Sequence, residues 1–284
     1  MIQKSYDNKP SLYLVPTPIG NLEDITFRAL KVLESVDLIA AEDTRHTLGL
    51  LNHFNISKPL ISYYKQNEKS KSEILISKLL EGQNIAVVSD AGTPGISDPG
   101  EEIVKVCIEN GIEIVPIPGA CAFVNALIAS GFSTREFSFI GFLSAEKKDR
   151  KDKLEELKYE TKTLIFYEAP HKLKSMLESV LEVLGNRKIV LAKELTKIHE
   201  TFIRDNVENI LNDIENIKGE FVILVEGSEV SKKDIELDNL NNLSVEEHYK
   251  IYENQGFDKK EIIKKIAKDR GVNKNEIYKI FLDK

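Results

Sequence analysis

Between residues 12 and 118 the chain alternates short, β-branched apolar runs with longer stretches of helical period, and this alternation constrains the fold more than any other feature. The apolar runs are LYLVPTP (12–18), DLIAAED (37–43), LISYY (60–64), IAVVSDAG (85–92) and IEIVPIP (112–118). Between them, TFRALKVLESV (26–36) spaces Phe27, Leu30, Val32 and Leu33 as a helix does. A second helix is expected from about Thr44, a third over EILISKLLEG closed by Gly82, and a fourth at about 100–110. The run IAVV is apolar at consecutive positions, as a strand must be when both sheet faces are covered. Strand–helix alternation of this kind predicts a largely parallel sheet with helices on both sides.

A second block follows with a different rhythm. ACAFVNALIAS reads as a helix, EFSFIGFL as a strand and the charged 147–159 segment as an exposed helix. TLIFYEA, KIVLAKEL, HETFIRD and EFVILVEG are strands, interleaved with helices over HKLKSMLESVLEVLG and VENILNDIE. Two strands are consecutive here, so an antiparallel contribution is expected. Residues 228–243 show no periodicity and read as a linker, and helical patterns follow at 244–255, 258–269 and 273–282. The expected architecture is α/β in two domains, 11–117 with a mostly parallel sheet and 118–228 with a mixed one, plus a small helical module over 244–284.

Composition excludes several classes. With 42% hydrophobic and 30% charged residues among 284, the chain suits a globular protein rather than a disordered or disulfide-framed one. Its two cysteines, Cys107 and Cys121, lie in apolar stretches and have no metal-ligand spacing, and none of the five histidines forms an HxxxH or HxH pair, so no metal site is expected. MIQKSYDNKP lacks the apolar core of a secretion signal, and no apolar run is long enough to span a membrane, so a cytoplasmic protein with no membrane partner is expected. The net charge is −7, against a general binder of nucleic acid, and DNA is not an expected partner. Positive charge is instead clustered, in KKDRKDK at 147–153 and in 259–284, where nine Lys/Arg face four acids. Each cluster reads as a solvated helix face or as a local contact for RNA.

Ligands of open parallel sheets gather beyond the carboxyl ends of the strands, and two loops there are unusual. They are PTPIGN (16–21) and SDAGTPGISDPG (89–100), the latter with three glycines and two prolines in twelve residues. Glycine lets a ligand approach the backbone and proline stiffens it. Neither loop is a dinucleotide fingerprint or a P-loop, and no GxSxG elbow occurs. Asp98-Pro99-Gly100-Glu101 reads as a helix entry with Asp98 as N-cap and Pro99 at the first helical position. Asp90 reads equally as a brace of its own turn. Carboxylates near strand ends are Glu42, Asp43, Asp98, Glu168 and Glu194. Arg45 is suited to fork onto a phosphate, with Lys193 and Lys197 as further charges.

Taken in order, LYLVPTPIGNLEDITFRALKVLESVDLIAAEDTRHT, VSDAGTPGISDPG, PIPGACAFVNAL, LIFYEAPHKL and ELTKIHET resemble the successive motifs of the ribosomal RNA small-subunit methyltransferase I family, and GVNKNEIYKI is similar to its terminal helical module. The resemblance implies a tetrapyrrole-methylase fold. It also implies methyl transfer from S-adenosyl-L-methionine to the ribose 2′-hydroxyl of a cytidine, 1402 in the rRNA's own numbering, in 16S rRNA of the small ribosomal subunit. By the same resemblance Asp90, Ala91, Gly92 and Thr93 lie along the methionine part of the cofactor, and Ile96 and Ile19 line its apolar side. Cys121 and Ala122 pack near it from the second half, and Glu168 and Leu195 close the site. Asp43, Arg45 and Glu168 are the candidates for catalysis, and a homodimer is implied. Two other readings remain open: a methylase of a tetrapyrrole or other small molecule on the same fold, and an RNA-binding protein that keeps the fold without the reaction.

Overall fold

The computed structural model describes residues 3, 9–213 and 219–281. The first sheet is built from β1 (Ser11–Leu14), α1 (Phe27–Ser35), β2 (Leu38–Ala41), α2 (Thr44–His53), β3 (Leu60–Ser62), α3 (Glu68–Leu80), β4 (Ile85–Val88), α4 (Glu101–Glu109) and β5 (Glu113–Pro116). Its strands run in the order β3-β2-β4-β1-β5 and every pair is parallel, with Leu12 opposite Ile85 on one side and Ile114 on the other. The continuous apolar run finds its explanation here. Ile85 and Val87 pack with Leu75, Leu79, Ile103 and Cys107 of α3 and α4, while Ala86 and Val88 pack with Ala29, Leu33 and Leu51 of α1 and α2. Alternate residues of one strand thus enter two separate cores.

The second sheet follows α5 (Ala122–Ser130) and contains β6 (Phe137–Phe142), β7 (Thr163–Glu168), β8 (Lys188–Lys193), β9 (Thr201–Asn206) and β10 (Phe221–Val225). The helices α6 (Lys147–Glu156), α7 (Pro170–Leu184) and α8 (Val207–Asp213) lie between these strands. The order is β6-β7-β10-β8-β9, with β6 and β7 parallel and the remaining pairs antiparallel. Phe166, Leu191 and Ile223 face α7 and α8, while Ile165, Val190, Ala192 and Val222 face α5 and the cleft side. The protein is therefore α/β with one parallel and one mixed sheet. The expected helices over 207–215 and 273–282 end partly at 214–215 and 282, which lie outside the described residues.

Three expectations are corrected. The segment read as a linker, 228–243, contains α9 (Lys232–Asn241). No residue of that helix is buried, so no apolar stripe marks it. It is fixed instead by a capping box between Ser231 and Asp234 and by bonds at its far end, where Asn241 donates to the Asp269 carbonyl at 3.2 Å. Second, Asp98 is not an N-cap. The chain at Gly100 has φ +148°, outside the helical region, and α4 begins one residue later with Gly100 in the cap position. Third, the cluster at 147–153 is exposed only in part: Lys147, Lys148 and Lys153 are exposed, but two of its cations are used within the fold. Arg150 is buried, donating to the Ser179 hydroxyl and to the Ser144 and Ala145 carbonyls, and Lys151 pairs with Glu182.

The last three helices, α10 (Val245–Asn254), α11 (Lys259–Asp269) and α12 (Lys274–Ile280), pack around Ile262, Ile263, Ile266 and Ile277. The α10 and α11 N-termini carry capping boxes from Ser244 with Glu247 and Asp258 with Glu261. Arg270 does not face outward. It reaches the Leu240 and Leu243 carbonyls and so ties α11 to α9, while Lys265 lies over the rings of Tyr252 and Phe257. Among the described residues, no helix is long and apolar enough to cross a membrane.

Candidate active site

Three loops of the first sheet are fastened together. After β1, Thr17 exchanges two backbone bonds with Gly92 of the loop after β4, at 2.9 and 3.0 Å, and its hydroxyl donates to the Ser89 carbonyl at 3.1 Å. Strands β1 and β4 are neighbours in the sheet, so their trailing loops meet without any detour. Thr93 then donates its hydroxyl proton to the Ala120 carbonyl at 2.8 Å, which draws in the loop that leads to α5. The second sheet closes from the other side. A Cβ on Gly20 would stand 2.5 Å from Cγ of Lys197 and 3.0 Å from the Leu195 carbonyl, so the loop after β1 lies directly against the loop after β8. That second loop is strained: Glu194 and Thr196 adopt φ of +49° and +67°. Backbone of this kind concentrates at functional sites.

Between these loops lies a cavity of about 370 Å³, within the range of small-molecule sites. The ten residues expected around the cofactor all line it. Ile19, Asp90, Ala91, Gly92, Thr93 and Ile96 come from the first lobe, and Cys121, Ala122, Glu168 and Leu195 come from the segments that follow. Of the three catalytic candidates, Glu168 lines the cavity and Asp43 and Arg45 do not. Asp43 caps α2 through the Arg45 amide at 2.8 Å. It also accepts from the Arg45 guanidinium at 2.8 and 3.2 Å, and this pair holds its carboxyl down to about 2.

Several lining residues were not singled out from the sequence. Phe142 and Tyr167 stand at the carboxyl ends of β6 and β7, while Glu220, Phe221 and Val222 stand at the amino end of β10. Strand β10 is antiparallel to both neighbours, with Phe221 opposite Glu168 and Lys193. Its beginning therefore lies beside their ends, and a search confined to carboxyl ends of strands passes over it. Tyr167 lies within the LIFYEAPHKL motif, where only its neighbour Glu168 was singled out; its phenol oxygen accepts the Phe123 amide at 3.2 Å, tying β7 to the start of α5.

The electrostatics of the cavity are one-sided. Glu42, Asp90, Asp98, Glu168, Glu194 and Glu220 line it, against one cation among the described residues, Lys197. Burial, aided by the neighbouring Asp90, raises the Glu42 pKa. Asp98 is pushed up to about 7 by burial, with the charges of Glu42, Asp90 and Glu220 adding to it. Burial likewise raises the Cys121 thiol and the Tyr167 phenol, so both stay protonated near neutrality. Such a cavity is suited to a cationic ligand with an apolar ring. Carboxylates can face its charge, while Ile19, Ile96, Leu195 and Val222 supply apolar wall.

Residues 11–211 match the family described as Tetrapyrrole (Corrin/Porphyrin) Methylases, the class that this fold and cleft define. Over 98% of its length the chain is 50% identical to the ribosomal RNA small subunit methyltransferase I of Halalkalibacterium halodurans, covering 98% of that protein. It is 49% identical to the protein of the same name from Bacillus subtilis, over 97% of this chain and 96% of that one. Among solved structures, uroporphyrin-III C-methyltransferase from Thermus thermophilus with S-adenosylhomocysteine bound superposes with a TM-score of 0.54 at 17% identity, over 75% of this chain and 96% of that one. The chain belongs to the tetrapyrrole methylase family and, within it, to the ribosomal RNA small subunit methyltransferase I group. The family methylates with S-adenosylmethionine. The sulfonium and ammonium of that cofactor match the acidic walls of the cavity, and its adenosine matches the apolar ones.

Proposed function

We propose that this protein transfers a methyl group from S-adenosylmethionine to the ribose 2′-hydroxyl of a cytidine in the decoding region of 16S rRNA, within the small ribosomal subunit. The observation that carries this reading is the reach of the likeness. The tetrapyrrole-methylase match ends at residue 211, whereas the rRNA methyltransferase relatives run on through the C-terminal helices. A porphyrin-sized substrate has no need of that helical module.

In this reading the loop 89–100 holds the cofactor. Asp90 faces its cationic end, Ala91, Gly92 and Thr93 lie along the methionine part, and Ile19, Ile96 and Leu195 cover its apolar face. Cys121 and Ala122, at the start of α5, and Glu168, at the end of β7, complete the enclosure. The cofactor supplies an activated methyl group, and the protein's share is to hold that group in line with one hydroxyl and keep water out, since positioning alone lowers such a barrier substantially. The protein acts as a homodimer in the cytoplasm. On α5, Val124 and Ile128 lie four residues apart on one face and are 42% and 70% exposed, apolar surface that a second copy would cover.

The test is to incubate the purified protein with labelled cofactor and 30S subunits or 16S rRNA and map modified riboses. A 2′-O-methylcytidine in the decoding region is expected. Cofactor binding without that product, or methylation of a porphyrinogen and not of rRNA, removes the reading. Sedimentation at micromolar concentration is expected to show a dimer, and a monomer there overturns that part.

A further inference from the structure

The loop 89–100 lines the cavity from both of its limbs, and the two limbs are held by different elements of the first lobe. On the near limb Asp90 accepts the Asp43 amide at 3.0 Å, which ties it to the end of β2. The far limb carries Ile96, Ser97 and Asp98, all three of which line the cavity, between Gly95 and Gly100. It closes on itself at its base. The Gly95 amide donates to the Pro99 carbonyl at 3.1 Å, and a Cβ on Gly100 would stand 3.0 Å from the Gly95 nitrogen. Gly100 is buried, so its own amide needs an acceptor. That acceptor lies not in the loop but on α3: it is Oε1 of Glu68, at 2.8 Å, a residue outside the lining of the cavity.

Glu68 is itself held in place. It is the first residue of α3, and the turn before that helix is fixed by Asn67, whose side chain accepts the Tyr64 amide at 2.8 Å and donates to the Ser62 carbonyl at 3.4 Å. The oxygen that accepts from Gly100 also accepts the Tyr63 phenol at 3.3 Å, and the Ser72 hydroxyl, one turn further along α3, stands 3.3 Å from that phenol. Tyr63 is only 1% exposed, and its amide donates to the Ala41 carbonyl at 2.7 Å, at the end of β2. Tyr63 therefore joins the two anchors of the loop. Its backbone holds the strand that leads to Asp43, and its side chain holds the carboxylate that receives Gly100.

We infer that Glu68 is a positioning residue for the cofactor: by fixing the Gly100 amide from outside the cavity, it sets Ile96, Ser97 and Asp98 in the place where S-adenosylmethionine meets them. This rests on the reading that the loop 89–100 holds the cofactor. What the site needs from Glu68 is an acceptor oxygen rather than a charge. Both bonds fall on Oε1, so a glutamine keeps them. An alanine leaves a buried amide without its partner and lets the base of the far limb open. The cofactor then meets a loop that is in its binding shape only part of the time, and its apparent affinity falls by that fraction. Once the cofactor saturates the protein the limb is back in place, so turnover changes little.

By calorimetry, E68A is expected to bind S-adenosylmethionine about tenfold more weakly than wild type, and E68Q within about threefold of it. In methylation of 30S subunits by E68A, the KM for the cofactor should rise by a similar factor while kcat stays within about twofold. Hydrogen exchange of the ligand-free protein should show faster exchange confined to the amides of 95–100 in E68A, with wild-type protection restored in E68Q. Neither calorimetry nor exchange depends on which RNA is methylated. Faster exchange spread over α3 and the strands of the first sheet overturns the proposal, because Glu68 would then serve general stability. Equal losses of affinity in E68A and E68Q also overturn it, since the charge and not the bond would matter. Wild-type affinity in E68A beside weakened affinity in Gly92→Val removes the role of Glu68 alone. Wild-type affinity in both variants removes the reading of the loop as well.

Discussion

At Gly92 the backbone has φ +91°, and a built Cβ would stand 3.2 Å from Cγ2 of Ile19. An L-residue in left-handed backbone costs roughly 1–2 kcal/mol, and a branched side chain here must also displace Ile19 toward the cavity. Gly92→Val is therefore expected to weaken S-adenosylmethionine binding at least about tenfold while the protein still unfolds cooperatively at a lower Tm. Unchanged affinity by calorimetry would place the cofactor elsewhere. Asp98 has its own signature in stability. Its carboxyl is pushed up from an ordinary 3.8 to about 7 in the folded chain, so over that interval the folded state holds a proton that the unfolded state has released. Stability falls with rising pH wherever the unfolded state binds fewer protons, so this group's contribution declines from about pH 4 to pH 7. Comparing melting temperatures across that window, D98N should gain steadily on wild type as pH rises. A constant difference would mean that Asp98 titrates like a solvent-exposed aspartate.

At the scale of elements, the chain was most legible where burial dictates it. The strands of the first sheet carry apolar residues into two cores, and Ile85–Val88 could be read because both faces are covered. Helix α9 was illegible because it buries nothing and is held by Ser231, Asp234 and bonds to its far end, which are polar, local features shared with turns. The Asp98-Pro99 pair misled for a related reason. It has the composition of a cap, but the chain turns at Ser97 (φ +66°) and Gly100 before entering α4, which frees Asp98 for the cleft. A long-range neighbour such as Glu220 carries no local signal, since only the antiparallel placement of β10 brings it to the cavity. The C-terminal helices are a separate packing unit, and Ile266, fully buried in α11, tests this. Ile266→Ala should destabilise α10–α12 by about 2–5 kcal/mol, seen as lost amide protection there, with cofactor affinity unchanged. Loss of protection in the first sheet as well would show that the helices and the sheets unfold together.

Charge is distributed over the whole molecule in a way that separates two tasks. The chain is acidic overall and its cleft is lined by six carboxylates, which face a cationic cofactor and repel phosphate. The last two helices carry the opposite excess, with Lys259, Lys260, Lys264, Lys268, Lys274 and Lys279 exposed around a core of isoleucines. On the rRNA-methylation reading proposed above, this charge predicts that the RNA is held mainly away from the cleft. Phosphate neutralisation by lysine supplies affinity that weakens with salt and reads no sequence. The boundary of this module follows from its hydrogen bonds. Arg270 holds the Leu240 and Leu243 carbonyls and Asn241 holds the Asp269 carbonyl, so α9 belongs with the three helices that follow it. A truncation before residue 244 would strand α9, whereas removal of 231–284 takes the unit whole. Without it, binding to 30S subunits should weaken and its dependence on salt should flatten, by about 0.7–0.9 in logarithmic slope for each phosphate that is no longer neutralised. Affinity for S-adenosylmethionine should persist, because every lining residue of the cavity lies before residue 223. Binding measured between low and physiological salt decides the matter. A truncated protein that binds and methylates 30S subunits as the full chain does, with the same slope, would mean that the lysine face only solubilises the module and that RNA is gripped elsewhere.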